Sequence, residues 1–218
     1  MRDQPTTTLA GSRYEVIAGR FQLLAIGPTA TNAEVEQAFT TAQARAAAPI
    51  QALTEARDNI LDPAQRLASE LAYPLDGSAE QASAFYADLS GNVPTRELVP
   101  SANKLPPLSR ANFLALLAAR YAADADVLVA LVDAHAAIDA AAIFDILRDR
   151  RSRAAFPTPS LVDIRQGLQD LLTLHCEAAI AAYDPIQSAA SPLMKCAREI
   201  ASANDRYRLE ALSGLVEG

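Results

Sequence analysis

Tryptophan is absent and aromatic residues make up only 6% of the chain, although half of its 218 residues are apolar. Sheets draw on aromatic and β-branched residues, whereas alanine favours closely packed helices, so this scarcity predicts helices rather than strands. The two cysteines, Cys176 and Cys196, are too few for a disulfide framework. The two histidines, His135 and His175, do not combine with them into a close ligand pair such as Cys-x-x-Cys. No metal and no cofactor are therefore expected. Eight scattered glycines form neither GxxxxGK nor GxGxxG, which removes the usual phosphate-cradling loops.

Positive charge is also in short supply. Nineteen Lys and Arg face 26 Asp and Glu, for a net charge of −7 and a pI near 4.9. Nucleic-acid binding requires a basic footprint, so no nucleic acid is expected as a partner. No run approaches the roughly 18 apolar residues needed to cross a bilayer. The opening MRDQPTTTLAGSRYEV has no apolar stretch of the kind that directs export. The expectation is a cytoplasmic protein without membrane contact. A charged content of 21% and a mean hydropathy of +0.06 belong to a folded chain rather than a disordered one.

What is present is concentrated between Phe21 and Asp76. Phe21, Leu23, Leu24 and Ile26 form a short apolar turn closed by Gly27-Pro28. Thr31 followed by Glu34 has the spacing of a capping box. Behind it Val35, Ala38, Phe39 and Ala42 recur at helical intervals, and Pro49 stops that helix. Ile50, Leu53, Ala56, Ile60 and Leu61 make the inward face of the next helix. Asp62 caps a further turn with Pro63 in first position, and Leu67 and Leu71 continue the stripe.

Phe21-x-Leu23-Leu24-x-Ile26-x-Pro28-x-Ala30-Thr31 and Glu34-Val35-x-x-Ala38-Phe39 resemble the first half of a J-domain. Glu55-Ala56-x-x-x-Ile60-x-Asp62-Pro63-x-x-Arg66 resembles its third helix, and the match covers about a quarter of the chain. J-domains stimulate the ATPase of heat-shock chaperones through a His-Pro-Asp tripeptide beside a basic second helix. Here the corresponding loop is Ala46-Ala47-Ala48-Pro49-Ile50, and the helix carries Glu34, Glu36, Gln37, Thr40, Thr41 and Gln43 with Arg45 as its one cation. Such a face lacks the electrostatic complementarity of the usual contact. The resemblance therefore implies a J-like scaffold that binds a partner without stimulating it.

The remainder reads as helices. The expected organisation is a flexible segment over 1–20, a J-domain-like helical domain over 21–89, a Pro-rich linker over 90–108 and a helical domain over 109–218. Residues 78–89 suggest a short helix around Phe85-Tyr86, and Ser109 reads as the cap of the helix through Tyr121. Asp139 and Ser160 read as further caps, and Ser191-Pro192 starts a last helix. The fold class is all-α, a J-domain-like helical hairpin followed by a C-terminal helical bundle.

No catalytic constellation emerges. Cys176 lies on the apolar side of a helix, where a thiol is a core residue, and the histidines read as surface or seam residues. Leu147-Arg148-Asp149-Arg150-Arg151-Ser152-Arg153 is the densest cationic run, suited to an acidic partner or to a helix C-terminus. Partner-binding candidates are Glu34, Gln37, Thr41, Arg45, Arg148, Arg150 and Arg151. The expected function is a non-enzymatic adaptor or co-chaperone-like protein, its partner a heat-shock-type chaperone or an assembly subunit. The alternatives are a structural subunit of a larger assembly, or a small helical enzyme or ligand-binding protein built around His135, Asp139, His175 and Glu177.

Overall fold

The computed structural model describes residues 13–78, 80–81, 83–84, 95–121 and 125–182. Among them all regular structure is helical: α1 (Arg13–Ala18), α2 (Arg20–Leu23), α3 (Asn32–Ala44), α4 (Ile50–Leu61) and α5 (Pro63–Leu71). These are followed by α6 (Thr95–Ala102), α7 (Pro107–Tyr121), α8 (Ala125–Ala136), α9 (Ala140–Arg153) and α10 (Leu161–Ala182). No single helix among the described residues is long and apolar enough to cross a membrane.

Helix starts follow side-chain chemistry. Thr31 Oγ1 accepts from the Glu34 backbone N–H at 3.3 Å, while Glu34 Oε2 accepts from the Thr31 N–H at 2.8 Å, completing the capping box. Asp62 Oδ1 accepts from the N–H groups of Ala64 and Gln65, with Pro63 in first position. Asp139 caps α9 through Ala141 N–H, and Ser160 with Asp163 forms a reciprocal pair at the start of α10.

Helix ends are less usual. Ala25, Ala46 and Ala155 have φ of 54°, 49° and 56°, the left-handed region that glycine ordinarily fills. Each follows a helix that closes with paired reverse hydrogen bonds. Ala46 N–H donates to Gln43 O and Ala47 N–H to Ala42 O, and the same pairing recurs at Ala25-Ile26 and at Ala155-Phe156. The stops at Ala25 and Ala155 precede Pro28, Ala30, Phe156 and Pro157, which all face buried arginines.

Two apolar clusters form. The smaller takes Phe21, Leu24, Ala30, Val35, Ala42, Leu53, Ala56 and Ile60, and so lies within α2 to α4. The larger is centred on α7, where residues Leu108, Ala111, Phe113, Leu114, Ala115 and Leu117 are all essentially inaccessible, and α6, α8 and α10 pack around it. Leu67 and Leu71 of α5 and Tyr14 and Ile17 of α1 join this larger cluster. Gly167 permits α10 to lie close to α5, since a Cβ there would stand 2.7 Å from Leu71 Cδ1.

Several expectations change. Residues 13–20, expected as part of a flexible segment, form α1 and open α2, with Tyr14, Ile17 and Ala18 buried. The expected linker contains helix α6 despite Pro100, because Leu98 and Ala102 are anchored in the core. Helix α7 begins at Pro107 rather than at a Ser109 cap. Its cap comes from Asp76, whose carboxylate accepts from Leu108 N–H and Ser109 N–H at 2.9 Å each and from the Ser109 hydroxyl. The sequence interval of 32 residues hides that partner. Of the helix expected over 78–89, residues 80–81 and 83–84 are helical. The last expected helix and Cys196 lie outside the described residues.

Replacing Ala46 with glycine removes the left-handed strain and is expected to raise stability by about 0.5–1 kcal/mol, after the entropy that glycine adds to the unfolded chain. Urea unfolding reads this directly. A lower midpoint for the glycine variant would show that Ala46 is not held in that conformation.

Candidate functional site

Helix α3 brings four of the seven candidate residues together. Glu34, Gln37, Thr41 and Arg45 all border one groove of about 360 Å³, floored by Leu23, Leu24, Ala38 and Ala42 and closed by Ala25 and Ala47. The four follow one another at intervals of three or four, so the helix repeat places them on one side. Glu34 is committed to its capping box, and the hydrogen bonds from the Thr31 N–H and hydroxyl hold its carboxyl below the usual range. Thr41 donates its hydroxyl to the Gln37 carbonyl. The amide of Gln37 and the guanidinium of Arg45 are the polar groups left facing outward. Ala25, itself left-handed, lines the groove, and left-handed Ala46 immediately precedes the lining residue Ala47.

The cationic run on α9 divides. Arg148 is exposed, paired with Asp145 at 2.8 Å and set over the Phe144 ring. Arg150 is half-buried and donates to the Leu75 carbonyl, and burial lowers its pKa. Arg151, expected in an exposed docking patch, is only 2% exposed and has no surface to offer a partner. The reason is periodicity: Ile143, Leu147 and Arg151 are spaced by four on the buried stripe of α9, and that spacing was available in the sequence.

Arg151 enters a buried charge network. Its Nε and Nη2 lie 2.9 and 2.8 Å from Glu70 Oε2, while Arg66 Nε donates to Glu70 Oε1 at 2.9 Å. The side chains of Arg66 and Glu70 are wholly inaccessible. Two guanidiniums and one carboxylate leave an excess positive charge in the interior. Backbone carbonyls absorb it: Arg66 Nη2 donates to Pro28 O at 2.6 Å and Ala30 O at 3.0 Å, and Arg151 donates to Pro157 O and Pro63 O. The Phe156 ring faces the Arg66 guanidinium at 3.9 Å, adding an aromatic quadrupole. Desolvation lowers the pKa of Arg66, and Glu70 opposes that shift.

The histidines meet inside the helical packing. Of the two readings, surface or seam, the surface one fails: both are buried between α8 and α10, with His135 Nε2 2.7 Å from His175 Nδ1. Each sits a helical step beyond apolar neighbours, His135 after Leu131 and Val132 and His175 after Leu171 and Leu172, which is the signal that betrays them. The Tyr14 ring packs edge-on to His175 at 4.3 Å, and its hydroxyl donates to Asn112. Asn112 in turn donates to the carbonyls of Leu71 and Tyr73. Burial drives the His135 pKa down to about 3 and that of His175 well below its ordinary value, His135 adding to the latter. Asp139 and Glu177 do not join them: Asp139 caps α9, and Glu177 borders a separate crevice beside α1. Cys176 is buried, as its helical position implies.

Glu70→Ala strips the counterion from two buried guanidiniums and is expected to cost about 3–5 kcal/mol, read as a shift in urea midpoint. An effect under about 1 kcal/mol would mean that the carbonyls alone hold the two arginines. The histidines give a pH dependence of determined sign. Both are neutral when folded and bind protons when unfolded below about pH 6.5, so stability is complete above that pH. It then falls as pH drops from about 6.5 toward about 3, by up to about 2.7 kcal/mol per pH unit when both take up protons. Unfolding at a series of pH values checks this, and H135Q/H175Q is expected to flatten the profile.

Comparison of the chain with protein-family models, with curated proteins and with solved structures finds no match.

Proposed function

We propose that this protein is a non-enzymatic, protein-binding adaptor of co-chaperone-like character, whose recognition surface is the groove along α3. The observation that carries this reading is the gathering of Glu34, Gln37, Thr41 and Arg45 on one groove with an apolar floor. A floor of Leu23, Leu24, Ala38 and Ala42 beneath a thin polar rim offers a partner side chain both burial and orientation. The J-like resemblance supplies the class of partner, a heat-shock-type chaperone. The loop Ala46-Ala47-Ala48-Pro49-Ile50 supplies the restriction, because it carries no His-Pro-Asp and its helix has one cation. Binding without ATPase stimulation is the combined reading.

The chaperone's steady-state ATPase is expected to stay at its basal rate on addition of the full chain. The chain is nevertheless expected to bind the chaperone in a titration, and Thr41→Arg, which fills the groove from an exposed position, to weaken binding about tenfold or more. Appreciable stimulation would overturn the restriction. Binding unchanged by Thr41→Arg, at unchanged melting temperature, would remove the groove from the interface.

One observation favours a second reading. The buried pair His135 and His175 is the convergence that a ligand-binding or catalytic site between the C-terminal helices would need. The pair is 1% and 0% exposed, so substrate access would require α8 and α10 to part. Faster modification of the histidines by diethyl pyrocarbonate than global unfolding allows would support that alternative over the adaptor.

A further inference from the structure

A second recess lies on a different face, where α1 and α2, α5 and α10 meet. It comprises two cavities of about 640 and 190 Å³ that share Ala64, Ala68, Asp170 and Leu174, and so form one trough. Along α10 its lining runs from Asp163 to Glu177, about 21 Å at 1.5 Å per residue. Ala64 and Ala68 of α5 floor both cavities, joined by Leu67 in the smaller and Gln65 in the larger, and Gly167 lets α10 lie close against Leu71.

Charge is divided between the walls. Arg13 and Arg20 come from the α1–α2 side, Asp170 and Glu177 from α10. Arg20 donates to Ser69 Oγ at 3.1 Å, and Asp170 accepts from the Gln166 amide at 2.9 Å. Among the described residues, none of the four forms an ion pair with another, so the trough holds opposite charges apart across its width. Arg20 is partly desolvated; Glu55 offsets part of that cost and Arg13 adds a like charge, so a further carboxylate between the two arginines is favourable.

We propose that this trough receives an amphipathic helix of a partner protein, its acidic flank against Arg13 and Arg20 and its basic flank against Asp170 and Glu177. The length suits about 14 residues of helix, and the alanine floor lets a backbone cylinder settle closely. Opposite charges on the two walls require opposite charges on the two flanks, with an apolar ridge between them meeting Ile17, Ala68 and Leu174. This surface is separate from the α3 groove and stands independently of the adaptor reading.

The test uses the full chain and three synthetic 15-residue helical peptides sharing a leucine ridge. Their flanks are Lys on one side and Glu on the other, Lys on both, or Glu on both. Fluorescence anisotropy at low salt is expected to show the mixed peptide binding roughly tenfold more tightly than either uniform peptide, with the preference shrinking as salt rises. R13E/R20E makes both walls acidic and is expected to transfer the preference to the all-Lys peptide, while D170K/E177K transfers it to the all-Glu peptide. Circular dichroism melting establishes that each variant is folded, and the two mirror-image variants serve as mutual checks. No binding of the mixed peptide, or a preference that both variants leave unmoved, overturns the proposal. Self-association of the chain in light scattering, abolished by either variant, would also overturn it by assigning the trough to a second copy.

Discussion

The carboxylate of Glu70, held between Arg66 and Arg151, is the interaction on which the arrangement of the helices depends. A buried carboxylate with one arginine is neutral; with two, the interior carries a positive charge that must be solvated by the protein itself. The chain meets this by converging carbonyls from four places: Pro28 and Ala30 before α3, Ile60 near the end of α4, Pro63 at the start of α5, and Pro157 after α9. Segments distant in sequence are thereby compelled to meet at one point. Removing any of them leaves charge without a dipole to face it.

This requirement explains two of the three left-handed helix ends. The stop at Ala25 turns the chain so that Pro28 and Ala30 reach Arg66, and the stop at Ala155 brings Phe156 over the same guanidinium and Pro157 toward Arg151. Left-handed alanine costs on the order of 1 kcal/mol, small beside the several kcal/mol at stake in an unsolvated buried charge. The same network ties α5 to α9, and the Tyr14–Asn112 and His135–His175 contacts tie α1, α7, α8 and α10. Both the α3 groove and the trough beside α1 are thus mounted on a braced frame.

The residues that carry the sequence resemblance to a J-domain each have a local structural role in this chain. Thr31 and Glu34 form a capping box, Asp62 and Pro63 start a helix, and Arg66 anchors the charge network. Every one of these positions has a folding role in this chain. Architecture alone accounts for them in this chain, so their presence requires no ATPase-stimulating activity. Fold and function separate at this point.

Helical class and most helix starts were legible in the sequence, because caps and helical periodicity act over three or four residues and are written locally. It also contained, at Arg151, His135 and His175, polar residues on apolar stripes, a signal that the habit of placing charge at the surface obscures. Which partners satisfy them emerges from long-range packing: Glu70 for Arg151 across 81 residues, His175 for His135 across 40, and Asp76 for the start of α7 across 32. Pairings of that range depend on how helices pack, and packing is a property of the assembled core rather than of any local segment.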